Sequence, residues 1–280
     1  MPRLVTPCKA NANLLKYDGY GSFVTSLREN LNTGREVLQF ACVSAQDFEA
    51  ISSDNHRPLM SAKLSYDFLT GVLTVKMPGF AHETLTGLFK AMVDKKLIMM
   101  DVFDETTPRA SPLTVMGNLA KEPDACWAPY STDDLTVVLE VRASESTARL
   151  AVDARGWLET PGSTVTTCIT INLSRENNII IEVWRLGTRV YAVSSRSSPS
   201  PAVRVQHVEI LNGEAGSTIR GWKTDRSTNT IPTDKIQLDF NTFVGRPAAT
   251  DLECDIVIDN NLLTAFACRF WDLQSRRLQG

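Results

Sequence analysis

The amino-acid sequence predicts an α/β protein with a mixed central sheet flanked by helices. From residue 61 to residue 186, short apolar runs typical of strands alternate with segments that have the 3.6-residue apolar period of amphipathic helices. The order is strand, strand, helix, strand, helix, strand, strand, which favours a sheet with helices packed on it. With 43% hydrophobic and 22% charged residues over 280 positions, the chain has an ordinary globular composition and can bury a substantial core.

The first sharply patterned segment predicts a β-hairpin followed by a helix. Residues 61–68 and 71–77 alternate apolar and polar side chains on either side of a short turn. Pro78 and Gly79 end the second run, and residues 82–95 then have the apolar spacing of one helix face. In the weakly patterned residues 1–60, we expect one helix over 22–32.

The second half of the predicted core begins with a compact apolar run at 136–141, typical of a buried central strand. Ser144 is a good N-cap for a helix beginning at residue 145, and Pro161-Gly162 ends that helix. The remaining predicted elements are a short strand near 113–116, strands at 165–173, 178–186, 190–193, 203–212 and 236–240, a low-complexity loop at 194–201 and a closing helix at 260–271.

These patterns divide the chain into three parts. We expect an N-terminal helical or irregular segment at 1–60, an α/β core at 61–193, and a strand-rich C-terminal extension at 202–280 packed on the core.

Charge and composition restrict the function classes. A net charge of −3 and a pI near 5.7 argue against a protein that coats nucleic acid through its overall charge, although a local basic cleft remains compatible. We expect neither a signal peptide nor a membrane span. The six scattered cysteines have no metal-type spacing, so we expect reduced thiols and an intracellular protein of the cytoplasm or nucleus.

Two acids stand where a core should have none. Glu140 lies inside the apolar run 137–141, where an ionised carboxylate is costly unless it is paired or bound to a cation. Asp124 follows Pro123 sixteen residues earlier, and with Arg142 the three side chains have the form PD…ExR. Asp and Glu on neighbouring strands can hold Mg²⁺ or Mn²⁺, which activates a water molecule. Glu83, at the start of helix 82–95, could complete the acidic cluster.

Each residue also has a structural interpretation. Asp124 could be a turn residue, and Glu83 could simply favour the positive end of its helix. His82 is more typical of a helix entry than of a catalytic base, and Trp157 of a core anchor. Glu140 could be held in an ion pair with one of three arginines, Arg142, Arg149 or Arg155.

Four stretches, in this order, resemble a large family of proteins from filamentous fungi: KLSYDFLTGVLTVKMPGFAHETL, EPDACWAP, TVVLEVRASESTARLAVDARGWLE and NIIIEVWRL. That family is similar to the PD-(D/E)XK superfamily, in particular to the predicted restriction endonucleases abundant in cyanobacteria. These proteins share an MP…HE helix entry, a PD and an EV.S.S strand end. The tail segments QLDFNTFVGRP and DIVIDNNLLTAFACRFW also resemble the family, so the resemblance covers about residues 35–275.

The resemblance implies a restriction-endonuclease-like fold and a metal-dependent endonuclease that hydrolyses phosphodiester bonds, most naturally in DNA. It implies Glu83, Asp124 and Glu140 as ligands of Mg²⁺ or Mn²⁺, and it places Arg142 where the superfamily has its catalytic lysine. An arginine cannot act as a general base, although it can bind a phosphate with two hydrogen bonds. Helix 145–159 contains no lysine that could replace it.

Two alternatives therefore stay open. One is a catalytically inactive nuclease-type module that binds nucleic acid or a protein partner. The other is a purely structural or interaction protein in which an arginine holds Glu140. Restriction-type enzymes often dimerise to cut both strands, so a homodimer is also an expected assembly.

Overall fold

The computed structural model describes residues 14–31, 36–53, 57, 61–107, 111–132, 134–143, 147–187, 200–213, 216–225 and 229–279. Within these ranges the protein has sixteen strands and six α-helices, which confirms the mixed α/β class. Its contacts divide the chain into two compact units, residues 1–79 with 113–122 and residues 80–112 with 123–280. None of the described helices is both long and apolar enough to cross a membrane.

In chain order the elements are β1 (Leu14–Lys16), α1 (Tyr20–Leu31), β2 (Val37–Ala41), α2 (Ala45–Ser52), β3 (Lys63–Asp67), β4 (Val72–Lys76), α3 (Phe80–Met99), a 3₁₀ turn (Phe103–Glu105), β5 (Thr106–Thr107), β6 (Thr114–Met116), β7 (Leu119–Lys121), β8 (Ala125–Pro129), β9 (Val137–Ala143), α4 (Thr147–Glu159), β10 (Thr167–Leu173), β11 (Ile179–Leu186), β12 (Ala202–Leu211), β13 (Thr218–Thr224), β14 (Thr230–Pro232), β15 (Ile236–Leu238), α5 (Phe240–Val244), β16 (Ile256–Ile258) and α6 (Asn260–Gln279).

The first unit is built on a six-stranded sheet in the order β1-β2-β4-β3-β7-β6. Strands β1 and β2 are parallel, and the other neighbours are antiparallel. The predicted hairpin is confirmed as β3 and β4. Its turn contains Gly71 at φ +65°, and a Cβ there would lie 3.1 Å from the carbonyl oxygen of Val43, so the position suits glycine.

A buried ion pair joins two distant segments of the first unit. Glu122 is 4% exposed, and its carboxylate accepts two hydrogen bonds from the Arg57 guanidinium, at 2.7 and 2.6 Å. The backbone N–H of Leu64 donates a third, at 2.7 Å. This bidentate geometry compensates the carboxylate for its lost hydration.

The second unit contains an eight-stranded mixed sheet in the order β14-β13-β12-β11-β10-β9-β8-β5. Strands β9 and β10 are parallel and are connected through α4, while every other neighbouring pair is antiparallel. Alternate residues on one face, such as Leu139 and Ile169, share a core with Phe89 of α3 and Phe266 of α6. Helix α4 packs against β9–β12 from the other face. The unit therefore has three layers.

Most predicted elements are confirmed. Helices 22–32, 82–95 and 260–271 correspond to α1, α3 and α6, each with a longer or shifted range. Strands 113–116, 136–141, 165–173, 178–186, 203–212 and 236–240 correspond to β6, β9, β10, β11, β12 and β15. The predicted start of the helix at 144–145, the strand at 190–193 and all but the last two residues of the loop at 194–201 lie outside the described residues.

Residues 1–60 contain more structure than the one helix that the sequence predicts. Strands β1 and β2 and helix α2 also lie there. Strand β1 has only three residues and pairs with β2, whereas β2 also pairs with β4, more than thirty residues later. Such short strands have too few residues to show a period, and their partners are distant in sequence. The boundary after Gly79 also places the hairpin in the first unit and α3 in the second.

Candidate functional site

All four predicted site residues lie in the second unit, in α3, in β9 and just before β8. Glu83 is in the first turn of α3, Asp124 immediately precedes β8, and Glu140 and Arg142 lie in β9. Asp124, Glu140 and Arg142 are buried, with exposed fractions of 7, 2 and 7%, whereas Glu83 is exposed. The structure therefore gathers three of the four along β9 and leaves Glu83 in solvent.

Asp124 is anchored on the backbone of β9. Strand β8 pairs antiparallel with β9, and its first residue, Ala125, lies opposite Leu139. Asp124 and Glu140 are thus at neighbouring positions of adjacent strands. The backbone N–H of Val141 donates to Oδ2 of Asp124 at 2.7 Å, so this carboxylate helps to join the start of β8 to β9.

His82 is the second partner of Asp124. Its Nε2 lies 3.0 Å from Oδ2 of Asp124, and the residue is 1% exposed. Its Nδ1 is buried and has no hydrogen-bond partner among the described residues. Sequence reasoning treated His82 as a helix-entry residue and missed this contact. The signal was its spacing, because His82 precedes Leu85 and Phe89 by three and seven positions and so shares their buried helix face.

Glu140 is held by the indole of a tryptophan. Nε1 of Trp157, in α4, donates to Oε1 of Glu140 at 2.6 Å, and Trp157 is fully buried. The prediction of Trp157 as a core anchor is consistent with this burial. A hydrogen bond to an ionised carboxylate is stronger than one between neutral groups, and it offsets part of the cost of burying the charge.

Arg142 faces a protein carboxylate. Its guanidinium donates from two nitrogens to Oδ2 of Asp153 in α4, at 3.2 and 2.7 Å. The Arg142 side chain is only 8% exposed. The group that the resemblance implied for phosphate binding is therefore part of the strand-to-helix packing.

In the sheet register, Glu140 is the first of five side chains that lie side by side across strands β9 to β13. Glu140 lies opposite Thr170, Thr170 opposite Glu182, Glu182 opposite His207, and His207 opposite Trp222. All five project from the face that α4 covers, because paired residues share a face. Glu140, Thr170 and Glu182 are buried, whereas His207 and Trp222 are partly exposed, so the row reaches solvent at β12 and β13.

The solvent end of this row is an aromatic and cationic cluster. We define the α4-face cluster as Trp184, Arg204, His207 and Trp222. The Arg204 guanidinium lies 5.9 Å from the ring centre of Trp184 and 5.3 Å from that of Trp222, within the range of cation–π attraction. The rings of His207 and Trp222 are nearly parallel, at 16°, with centres 6.0 Å apart.

Glu182 positions Arg204 and His207 of the α4-face cluster. Its Oε1 accepts a hydrogen bond from Arg204 and lies 3.0 Å from Nδ1 of His207. Burial alone would raise the pKa of Glu182, but the hydrogen bonds to His207 and Arg204 together outweigh it and hold the pKa below its usual value. Side chains of Arg204 and His207 are 41 and 23% exposed. Sequence reasoning missed this cluster.

Mg²⁺ or Mn²⁺ at the buried acids would have to share or displace the hydrogen bonds that protein groups donate to them. Mg²⁺ prefers an octahedral set of oxygen ligands that includes several waters. Asp124 and Glu140 instead accept hydrogen bonds from protein groups in a buried seam. Within the described ranges, no group of three or more His, Cys, Asp or Glu side chains is arranged to hold a metal ion.

Comparison of the sequence with protein-family models and with curated proteins gives no match. The functional interpretation therefore depends on the partners and exposure of the side chains described above, and on the motifs quoted from the sequence.

Proposed function

We propose that this chain is a nuclease-type scaffold that binds single-stranded nucleic acid without hydrolysing it. One observation carries the proposal: Asp124, Glu140 and Arg142 are all buried, and each is hydrogen-bonded to a protein group. The restriction-endonuclease-like arrangement of the second unit is part of the proposal. It is supported by the order of the sequence motifs and by the three α/β layers.

Hydrolysis would require these groups to exchange their partners. A metal ion would have to reach Asp124 and Glu140, and a phosphate would have to replace Asp153 at Arg142. Removing one partner of a buried ion pair costs about 3–5 kcal/mol. Arg142 also cannot accept a proton from the attacking water as a lysine could.

Binding is assigned to the α4-face cluster because the partly exposed ring of Trp222 lies beside the Arg204 guanidinium. Proteins that bind single strands stack unpaired bases on aromatic side chains and contact the backbone with cations. The overall charge of −3 provides little attraction for a duplex. Stacking is therefore a main expected contribution, and the contact of Arg204 with the strand backbone should make the affinity fall as the salt concentration rises.

Fluorescence anisotropy with a labelled single strand of about 12 nucleotides tests the proposal. We expect wild-type protein to bind and Trp222→Ala to bind roughly 5- to 150-fold more weakly, because stacking contributes about 1–3 kcal/mol per base. Arg204→Ala should also weaken binding. Its matched control is Arg276→Ala, which should bind as wild type does, since Arg276 is exposed on α6 and α6 packs on the other face of the sheet. Absence of wild-type binding, or equal binding by Trp222→Ala, contradicts the proposal.

The second candidate is a metal-dependent nuclease, favoured by the neighbouring positions of Asp124 and Glu140 on adjacent strands. In this alternative the two acids, with Glu83, would bind Mg²⁺ or Mn²⁺, and a homodimer would cut duplex DNA. Plasmid and single-strand cleavage assays with either metal, beside Asp124→Asn and Glu140→Gln, distinguish the candidates. Cleavage by wild type that both substitutions abolish would replace the binding-only proposal.

A further inference from the structure

A second polar site lies in the second unit, on the sheet face opposite the α4-face cluster. Lys223 of β13 pairs with Gln206 of β12, one position along from the His207–Trp222 pair, so these two side chains project from the opposite face. They line a cleft of about 370 Å³ together with Arg185 and residues of the β15–α5 and α5–β16 segments. This volume lies in the range of small-molecule sites.

Three carboxylates line the cleft. Asp225 accepts hydrogen bonds from the backbone and the side chain of Asn229, and the other two also serve the fold. Asp255 accepts hydrogen bonds from the Gln237 side chain at 2.8 Å and from the backbone N–H of Phe240 at 3.1 Å. Asp239 caps α5 by accepting from the backbone N–H of Thr242 at 3.2 Å. These contacts hold both acids in place while leaving lone pairs that can accept further hydrogen bonds.

Gln206 lines the cleft with a side chain that is fixed by hydrogen bonds. It is 7% exposed, and its amide makes two hydrogen bonds with the backbone of Gln237, one donated at 2.6 Å and one accepted at 2.9 Å. The pair connects β12 to β15 in the way that a backbone ladder would. The positions of the other lining groups are therefore set by the fold.

The two cations of the cleft have donors to spare. The Arg185 side chain makes no hydrogen bond or ion pair with another described residue, and its Nε is buried without a partner among them. Lys223 makes one long contact, from Nζ to Oε1 of Gln237 at 3.4 Å. A buried N–H without an acceptor is costly, so an acceptor supplied from outside would stabilise the site.

We propose that this cleft binds a phosphorylated sugar. Arg185 and Lys223 face its phosphate, since a guanidinium offers paired donors and an ammonium a compact charge. The sugar hydroxyls donate to the remaining lone pairs of Asp239 and Asp255. The phosphorylated sugar is either a free small molecule or the 5′ end of a nucleic-acid strand, which present the same chemistry.

Isothermal titration calorimetry of the full chain tests the site with ribose 5-phosphate, ribose, and a short oligonucleotide with or without a 5′-phosphate. We expect at least one phosphorylated compound to bind more tightly than its unphosphorylated counterpart, and ribose to give no heat. The oligonucleotides are titrated into Trp222→Ala, which weakens strand binding at the α4-face cluster, so that the effect of the 5′-phosphate is measured. Binding of ribose 5-phosphate identifies a small-molecule site. Binding of the 5′-phosphorylated strand alone identifies a strand end.

Arg185→Gln and Lys223→Gln should each weaken this binding about tenfold or more, because each removes one charged donor. Lys95→Gln, at an exposed position of α3, is the matched control and should bind as wild type does. Arg185→Gln should keep the wild-type melting temperature without ligand, since the arginine side chain makes no hydrogen bond or ion pair with a described residue. Failure of every phosphorylated compound to bind, or unchanged binding by both cleft variants, overturns the proposal. Trp222→Ala should leave binding at the cleft intact. The cleft proposal can therefore fail or hold independently of strand binding at the α4-face cluster.

Discussion

Removing the hydrogen bond between Trp157 and Glu140 tests whether the buried acid has a structural role. Trp157→Phe keeps an aromatic ring at a fully buried position but removes the N–H that donates to Oε1 of Glu140 at 2.6 Å. Losing a hydrogen bond to a charged group costs about 1.5–3 kcal/mol. The smaller ring also leaves a cavity that costs roughly 1–2 kcal/mol, so we expect a total loss of about 2.5–5 kcal/mol in the free energy of unfolding.

A double-mutant cycle isolates the contact from the cavity. In Glu140→Gln the side chain keeps its shape, and its amide oxygen can still accept from Trp157, but the bond becomes neutral. Because the two residues are in contact, the cycle should give a coupling of about 0.5–3 kcal/mol, measured by urea denaturation followed by circular dichroism. Adding Mg²⁺ should not raise the melting temperature of the wild type, since the Trp157 indole already donates to the carboxylate.

Trp271→Phe is the control. The indole of Trp271, in α6, donates at 3.1 Å to the carbonyl oxygen of Asn177, a neutral acceptor. Its substitution should cost less than Trp157→Phe and should be additive with Glu140→Gln. The reasoning fails if Trp157→Phe and Glu140→Gln are also additive, or if Mg²⁺ stabilises the wild type but not Glu140→Gln.

Three further predictions concern ion pairs. Glu122→Ala should lower the free energy of unfolding by about 3 kcal/mol or more, because it leaves the Arg57 guanidinium without its bidentate partner; a urea midpoint equal to wild type would contradict this. The lowered pKa of Glu182 adds stability that is present above the unfolded-state pKa of 4.5 and is lost as the pH falls through the lower folded-state pKa. The difference in unfolding free energy between wild type and Arg204→Ala should therefore shrink in acid. A difference that stays constant from neutral pH to about pH 3 would exclude this contribution. The hydrogen bond from Arg246 holds the pKa of Glu253 at about 2. In Arg246→Ala, a carboxyl NMR titration should therefore find the pKa of Glu253 closer to 4.5. An unchanged titration would show that the backbone N–H of Ala249 is enough to keep this pKa low.

Local sequence patterns were enough to predict the helices and strands whose own apolar residues mark their buried face. Strand β9 is buried along its whole length and reads as an apolar run interrupted by Glu140, which made both the strand and the unusual acid visible. Helix α3 shows its buried face through Leu85 and Phe89. The same periodicity placed His82 on that face, but no pattern indicates which carboxylate a buried imidazole will meet.

Sequence alone identified Glu140 as a residue that needs a partner, because a charged group in an apolar strand cannot stay unsolvated and uncompensated, and it selected Asp124 and Arg142 through the PD…ExR motif. Only the tertiary structure decided what those partners are. Trp157 and Asp153 reach β9 from α4 through helix packing, and the α4-face cluster depends on the register of three strands, which shifts between Val183 and Trp184. Register and packing depend on contacts between distant segments. Local pattern shows that a charge must be compensated, whereas the fold selects the group that compensates it.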